Sequence, residues 1–273
     1  MTRVRLGAVG YLNARPLVYG LEREPRFELR YDIPSECARL LHAHAIDVGL
    51  IPSIEYLRGP QSYAFVPGPA VTSRGPVASV AIYTRVDPRD IRTIAMDTSS
   101  RTSVALSTVM LRRAFGATPD ALPMAPDLEP MLAAADAALI IGDTALFLNP
   151  QSDIRKLDLG ALWTEFTGLP FVYAVWAGWP DAMGPDEVVL LQRARDEGVA
   201  QSDEVARAYY PDDPGRQAVA KRYLRDNIQY FLGDEELDGL RTFYRYASEL
   251  GLASFDGTLR FYDADGHDHQ GTR

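Results

Sequence analysis

The sequence predicts a two-lobed α/β protein, with mixed sheets, flanking helices and a cleft between the lobes. Three observations predict it. The first 84 residues alternate short apolar strands with helix starts. After a charged, proline-containing stretch at Arg85–Asp90 the same grammar begins again at Ile94. A continuous apolar run, Phe171–Ala177, then leads into a long helical segment. Strand–helix alternation of this kind is the pattern of an α/β sheet. A chain of 273 residues has enough material for two cores, and 47% hydrophobic with 24% charged residues is the balance of a globular protein rather than a disordered one.

The elements follow in order. Val4–Val9 is an apolar strand, and Asn13 with Pro16 opens a helix to about Leu21, because Asn suits an N-cap and Pro a first turn. Phe27–Tyr31 alternates as a strand, Ser35 caps a helix over Glu36–His42, and Ala45–Ile51 is a strand running into a short helix from Ser53. Ala64–Val66 and Val77–Thr84 complete the first unit. In the second, the strand Ile94–Met96 enters a polar loop and the helix Val104–Arg113. An internal echo links the units: Ala45–Ile51 before Pro52-Ser53 matches Ala135–Ile141 before Gly142-Asp143-Thr144, an Asp preceding an apolar strand that ends on a polar helix start. Phe171–Ala177 is apolar throughout, as a strand buried on both faces must be, and is taken as the return crossing. Helices are expected at 186–197, 202–210, 215–231 and 235–250, covering the first lobe. The lobes are therefore expected at 1–84 with 179–273, and at 85–178. The polar tail from Ser254 is expected to fray.

Composition excludes several functions. A net charge of −9 argues against nucleic-acid binding, which needs a basic face, but leaves room for a small anion held by local donors. No apolar run reaches the ~18–20 residues of a membrane-spanning helix, and Asn13, Arg15 and Pro16 interrupt the first apolar stretch too early for a signal peptide, so a cytoplasmic protein is expected. The single cysteine, Cys37, excludes an intramolecular disulfide and reads as a buried helical thiol. Lys156 and Lys221 are the only lysines, in surface-like settings, which disfavours Schiff-base chemistry. His42 and His44 flank a helix end and His267 and His269 lie in the tail. No Walker loop, nucleophile elbow or zinc-protease motif occurs, and neither a metal site nor a cofactor is expected.

What remains is a set of loops joining strand ends to helix starts, where free N–H groups and the helix dipole suit carboxylates. In Gly10–Pro16, Asn13 either caps a helix or points its amide into the cleft. In Asp97–Ser103, five of seven residues carry hydroxyls, more than one cap needs; the loop reads as an anion cradle or as a solvated, capped turn. In Gly142-Asp143-Thr144, glycine admits a ligand close to the backbone, and Asp143 either caps or orients a ligand hydroxyl. In Thr72–Pro76, Arg74 either pairs a carboxylate bidentately or is exposed.

The segments Tyr11–Pro16, Asp47–Tyr56, Ser73–Val77, Thr98–Ser103, Ile141-Gly142-Asp143 and Trp163–Phe171, taken in order and spacing, resemble the chorismate dehydratase family of the futalosine route to menaquinone. The match runs to about Gly178. The resemblance implies a type II periplasmic-binding-protein fold in a cytoplasmic hydro-lyase. It implies chorismate, with its two carboxylates and hydroxyl, as the small-molecule partner, and 3-[(1-carboxyvinyl)oxy]benzoate as product. Asn13 is then the catalytic candidate, with Ser53, Ser73, Arg74, Ser99, Ser100, Thr102, Ser103, Gly142, Asp143 and Thr144 as substrate-binding candidates. Two other readings share the fold: a non-catalytic solute-binding protein, and the related 1,4-dihydroxy-6-naphthoate synthase, whose opening loop is richer in Cys, Pro and Asn-Asp than Tyr11–Pro16.

Overall fold

The protein is described here by a computed structural model covering residues 3–263. In chain order its strands and helices begin with β1 (Val4–Val9), β2 (Phe27–Asp32), α1 (Pro34–His42), β3 (Val48–Pro52), β4 (Ala64–Ser73) and β5 (Val80–Thr84). There follow β6 (Thr93–Met96), α2 (Arg101–Phe115), β7 (Asp120–Pro123), α3 (Leu128–Ala134), β8 (Ala137–Ile141), α4 (Gly142–Phe147), β9 (Arg155–Asp158), α5 (Leu159–Thr167) and β10 (Phe171–Gly178). The C-terminal part comprises α6 (Pro185–Ala200), α7 (Ser202–Tyr209), α8 (Pro214–Asp226), β11 (Gln229–Leu232) and α9 (Asp234–Glu249). Short 3-10 turns occupy Leu12–Val18 and Ser53–Tyr56.

Two mixed sheets form. One has the order β11-β4-β10-β3-β1-β2 and the other β7-β6-β8-β5-β9. Read from β2 inward, the first runs β2-β1-β3-β10-β4, and the second runs β7-β6-β8-β5-β9 from its own edge. In each, three parallel strands are followed by an antiparallel one: β10 against β3, and β5 against β8. The sequence echo falls on equivalent strands, β3 and β8, and both deliver the chain directly into a helical turn at their carboxyl ends.

The expected lobe boundaries need correction. Val80–Thr84 belongs to the second sheet, and Phe171–Gly178 is an interior strand of the first, between β3 and β4. The chain therefore crosses at residues 74–79 and returns at 168–170. The backbone shows why. Gly75 and Ala78 have positive φ at the first crossing, and Gly168 at the second, where it ends α5 in the left-handed conformation. Asp158 holds the first crossing by accepting from Val77 N (3.0 Å) and Ala78 N (2.7 Å). The charged stretch at Arg85–Asp90 is a surface turn of the second lobe, capped by Asp87, since charge and proline mark exposure rather than a change of sheet.

The helix expected over 215–231 also needs correction. It stops at Asp226, and Gln229–Leu232 pairs with β4 as an edge strand, burying Tyr230 and Leu232 while Gln229 and Phe231 face out. Over four residues a period of two and a period of 3.6 look alike, so the helical spacing that includes Ile228 and Phe231 did not discriminate. Cys37 is buried in α1 with its thiol against the Ala8 carbonyl. Among the described residues no helix is long and apolar enough to cross a membrane. His267 and His269 lie outside the described residues.

One polar contact ties β1 to the entry of β3. Asp47 accepts from the Arg5 backbone N–H (2.8 Å) and from its guanidinium (2.6 Å). Burial opposes ionisation of Asp47, but the hydrogen bonds and charge of Arg5 outweigh it, so its pKa lies below the usual Asp value. A depressed carboxylate stabilises the fold above its unfolded pKa of about 3.9, and that contribution is lost as pH falls through the lower folded value. Asp47→Asn is expected to cost about 1 kcal/mol at neutral pH, a figure reduced for solvent screening of a partly exposed pair. The difference from the parent should vanish in thermal melts taken below the carboxylate range.

Candidate functional site

The carboxyl ends of β1 and β3 face the amino ends of α2 and α4 across a cleft between the two sheets, which is where open α/β sheets place ligands. The walls are mostly apolar, with Leu50, Val71, Val80 and Ile141 among them, and a few convergent polar groups project inward: Asn13, Ser79, Ser100, Ser103 and the hydroxyl-bearing rings of Tyr11 and Tyr173. The cavity between the walls has a volume of about 40 Å³. That suffices for a few waters and is smaller than a substituted six-membered ring, so the lobes stand close together across the cleft here.

Each polar group has a local cause. The Leu12–Val18 turn is preceded by Tyr11 in extended conformation with no side-chain cap. Asn13 therefore sits inside the turn and caps nothing. It is half-buried, lines the cleft, and its amide neighbours the Tyr223 hydroxyl, which burial holds far above the ordinary phenol range. The N-cap reading of Asn13 is thereby excluded, because Pro16 inside the segment favours a tight 3-10 turn over an α-helix.

The hydroxyl-rich loop divides its labour. Ser100 is the N-cap of α2, its hydroxyl lying 3.1 Å from that of Ser103, and both line the cleft. The Ser99 hydroxyl accepts from Tyr11 OH across the lobes (3.3 Å) and the Ser99 carbonyl accepts from Ser35 N. Thr102 is wholly buried and accepts from Ile54 N (3.1 Å), next to Ser53, whose hydroxyl donates to the Val172 carbonyl (2.8 Å). Ser99 and Thr102 thus join the lobes, with the Ser53 hydroxyl 3.4 Å from that of Thr102, while Ser100 and Ser103 face the space between them.

In the third loop, Gly142 has φ +65° and lies beneath the Tyr11 ring, where an added Cβ would sit 3.2 Å from the ring edge. Only glycine meets both conditions comfortably. Asp143 does not cap α4. It accepts from Leu12 N (3.3 Å) and from Tyr209 OH (2.5 Å), strapping the second lobe to the first. Burial raises its pKa, against the hydrogen bonds of Tyr209 and Leu12. Thr144 is exposed and outside the cleft lining. Ser73 is buried and bonds the Tyr173 hydroxyl (3.0 Å), so it acts on the cleft through that ring. Arg74 is exposed, paired with Glu235 and donating to the Gly168 carbonyl, and takes no part in the cleft.

Sequence reasoning missed Ser79, Tyr173 and Tyr223. Ser79 follows Ala78, whose φ is +63°, and its hydroxyl lies 2.7 Å from that of Tyr223. Both Ser79 and Tyr223 are buried where a crossing segment meets the C-terminal helices. A serine inside an apolar run was the available signal. Tyr223, by contrast, is indistinguishable by spacing from a core residue of α8.

The cleft thus brings two helix starts and a small polar set together between apolar walls. A family model described as menaquinone biosynthesis matches residues 4–249. The chain belongs to that family. Among curated relatives of this menaquinone-biosynthesis protein, the chorismate dehydratase of Thermus thermophilus is 33% identical over 264 residues, spanning 90% of this chain and 95% of the relative. The chorismate dehydratase of Campylobacter jejuni is 29% identical over 175 residues, spanning 62% and 64%. Among solved structures, a protein of Archaeoglobus fulgidus aligns with a TM-score of 0.73 at 18% identity, covering 92% of this chain and 98% of that one. The periplasmic aliphatic sulphonate binding protein of Escherichia coli aligns with a TM-score of 0.64 at 14% identity, covering 93% and 94%. These structural likenesses speak for the fold, which is that of the periplasmic binding proteins, as the resemblance implied.

Proposed function

We propose that this chain is a chorismate dehydratase, eliminating water from chorismate to give 3-[(1-carboxyvinyl)oxy]benzoate, and that it does so in the cytoplasm, the compartment expected of a biosynthetic enzyme. The observation that carries the reading is the match over nearly the whole chain to a curated chorismate dehydratase, joined to a cleft whose polar groups are donors rather than strong bases.

The chemistry suits such a site. The proton on the ring carbon bearing the enolpyruvyl ether is vinylogous to the ring carboxylate. When it is removed, charge flows toward that carboxylate, the neighbouring hydroxyl departs and takes up the proton held by the base to leave as water, and the ring becomes aromatic. In this reading the Ser100 and Ser103 hydroxyls and the free N–H groups of the first turn of α2 hold the ring carboxylate as charge develops on it, which their position at the cleft end of that helix supports. Among the described residues, those lining the cleft include no His, Lys, Asp or Glu. The substrate's own enolpyruvyl carboxylate, joined through the ether oxygen to the carbon that loses the proton and so held close to it, then serves as base. Asn13 orients a substrate group through its amide and does not titrate. Asp143, occupied by Leu12 and Tyr209, belongs to lobe closure rather than proton transfer.

The test is direct. Purified protein mixed with chorismate, with no metal or cofactor added, should accumulate the carboxyvinyloxy benzoate, followed by chromatography and ultraviolet absorbance. Chorismate unchanged beyond its spontaneous decay would return the function to a solute binder or to the naphthoate synthase.

A further inference from the structure

Glu55 is a carboxylate with no exposed side-chain surface, and neither the cleft lining nor the reaction above uses it. Three groups converge on it. Arg101 reaches Oε2 at 2.6 Å, His42 Nε2 reaches the same oxygen at 3.0 Å, and Arg58 reaches Oε1 at 3.1 Å. Burial opposes its ionisation, but the His42 hydrogen bond and the Arg101 and Arg58 guanidinium groups outweigh it and hold its pKa below the usual Glu value. His42 Nδ1 lies 2.7 Å from the Tyr63 hydroxyl. With the phenol donating there, the ring proton belongs on Nε2, aimed at Glu55.

These partners differ in origin. Tyr63, His42 and Arg58 lie on segments of the first lobe, and Arg58 is further tied to the Leu252 carbonyl (3.0 Å). Arg101 comes from the second lobe. It is the first residue of α2, between the two serines that line the cleft. Beside it, Thr102 accepts from Ile54 N, adjacent to Glu55 in the Ser53–Tyr56 turn. A buried, charge-assisted bond of this kind is strong and directional, and leaving its carboxylate unpaired is costly.

We propose that Glu55 is a positioning residue for the reaction. By gripping Arg101 it seats the first turn of α2 against the first lobe, and so sets where Ser100 and Ser103 meet the substrate carboxylate when the lobes are closed. Glu55 acts through Arg101 and touches no substrate. The inference rests on the dehydratase reading for its kinetic consequence, but the seating of α2 stands apart from it.

Arg101→Gln is the first variant to make, because Arg101 is a partly exposed side chain whose loss leaves the core intact. A displacement of about 1 Å in a positioning group costs on the order of 10²-fold. Arg101→Gln should therefore lower kcat/KM for chorismate by about 10²-fold. It should also speed hydrogen exchange of the Ile54 amide, which donates to Thr102 in that first turn, with the melting temperature little changed. Arg58→Gln, which removes the carboxylate's partner from within the first lobe, should leave kcat/KM and that exchange at parental values. Glu55→Gln should reproduce the Arg101→Gln effect, and the double variant should be no worse than either single one, as residues on one path behave. An Arg101→Gln protein with parental kcat/KM and parental exchange, or an Arg58→Gln protein equally impaired, overturns the proposal. Should the parent itself fail to turn over chorismate, the dehydratase reading falls while the exchange comparison of Arg101→Gln with Arg58→Gln still decides the seating of α2.

Discussion

Asn13→Ala should lower kcat/KM for chorismate by about 10²–10³-fold, the range found when one preorganised donor is removed from a site where charge develops. The protein should remain folded, because Asn13 caps no helix and the turn carrying it is held by other contacts: Leu12 N with Asp143, the Ala14 N–H with the Tyr11 carbonyl, and buried Leu12, Pro16 and Leu17. Its amide is a neutral group of the first lobe that projects into the cleft and neighbours the buried Tyr223 hydroxyl. If Asn13 only orients substrate, Asn13→Asp should be impaired as well, since a carboxylate facing a dianionic ligand repels it. The pH profile of the parent should then show no ionisation of a cleft residue in the working range. Steady-state kinetics with circular dichroism on both variants checks this, and an Asn13→Ala protein with parental turnover would remove Asn13 from the mechanism.

The largest effect on stability is expected from Gly198→Ala. Inside a helix, this exchange ordinarily stabilises by up to about 1 kcal/mol, because alanine is the better helix former. Here the sign reverses. Gly198 is buried in α6, and a Cβ built on it would lie 2.1 Å from the Pro16 carbonyl oxygen, a backbone atom that cannot rotate away. The helix or the Leu12–Val18 turn must shift, and forced overpacking of this kind costs typically ~1–3 kcal/mol. The same shift moves the segment bearing Asn13, so turnover should fall together with the melting temperature. A Gly198→Ala protein that melts at or above the parental temperature would show that α6 does not set the position of that turn.

Gly198 also illustrates where sequence reading stops. The helical pattern alone ends that helix at Glu197, since glycine is a frequent helix terminator. Its role as the contact point for a distant carbonyl exists only once α6 and the Leu12–Val18 turn are packed. Tyr209 and Asp143 are a similar case: 66 residues apart, with no spacing rule to connect them, they form a strap only through tertiary placement. Arg74 is the converse, a residue whose charge and loop setting read as functional although the fold points it at Glu235.

By itself the sequence determined the α/β class, the doubled strand–helix grammar and the loops at the carboxyl ends of the strands, because hydrophobic period, caps and turn residues are local properties written in consecutive positions. The family resemblance was carried by those same loops. The tertiary structure alone decided which sheet took Val80–Thr84 and Phe171–Gly178, which of the loop hydroxyls face the cleft and which fasten one lobe to the other, and that Glu55 and Arg101 meet. Those outcomes depend on strand pairing and on side chains brought together across long stretches of chain. The energy of such contacts appears only when both partners are buried in place.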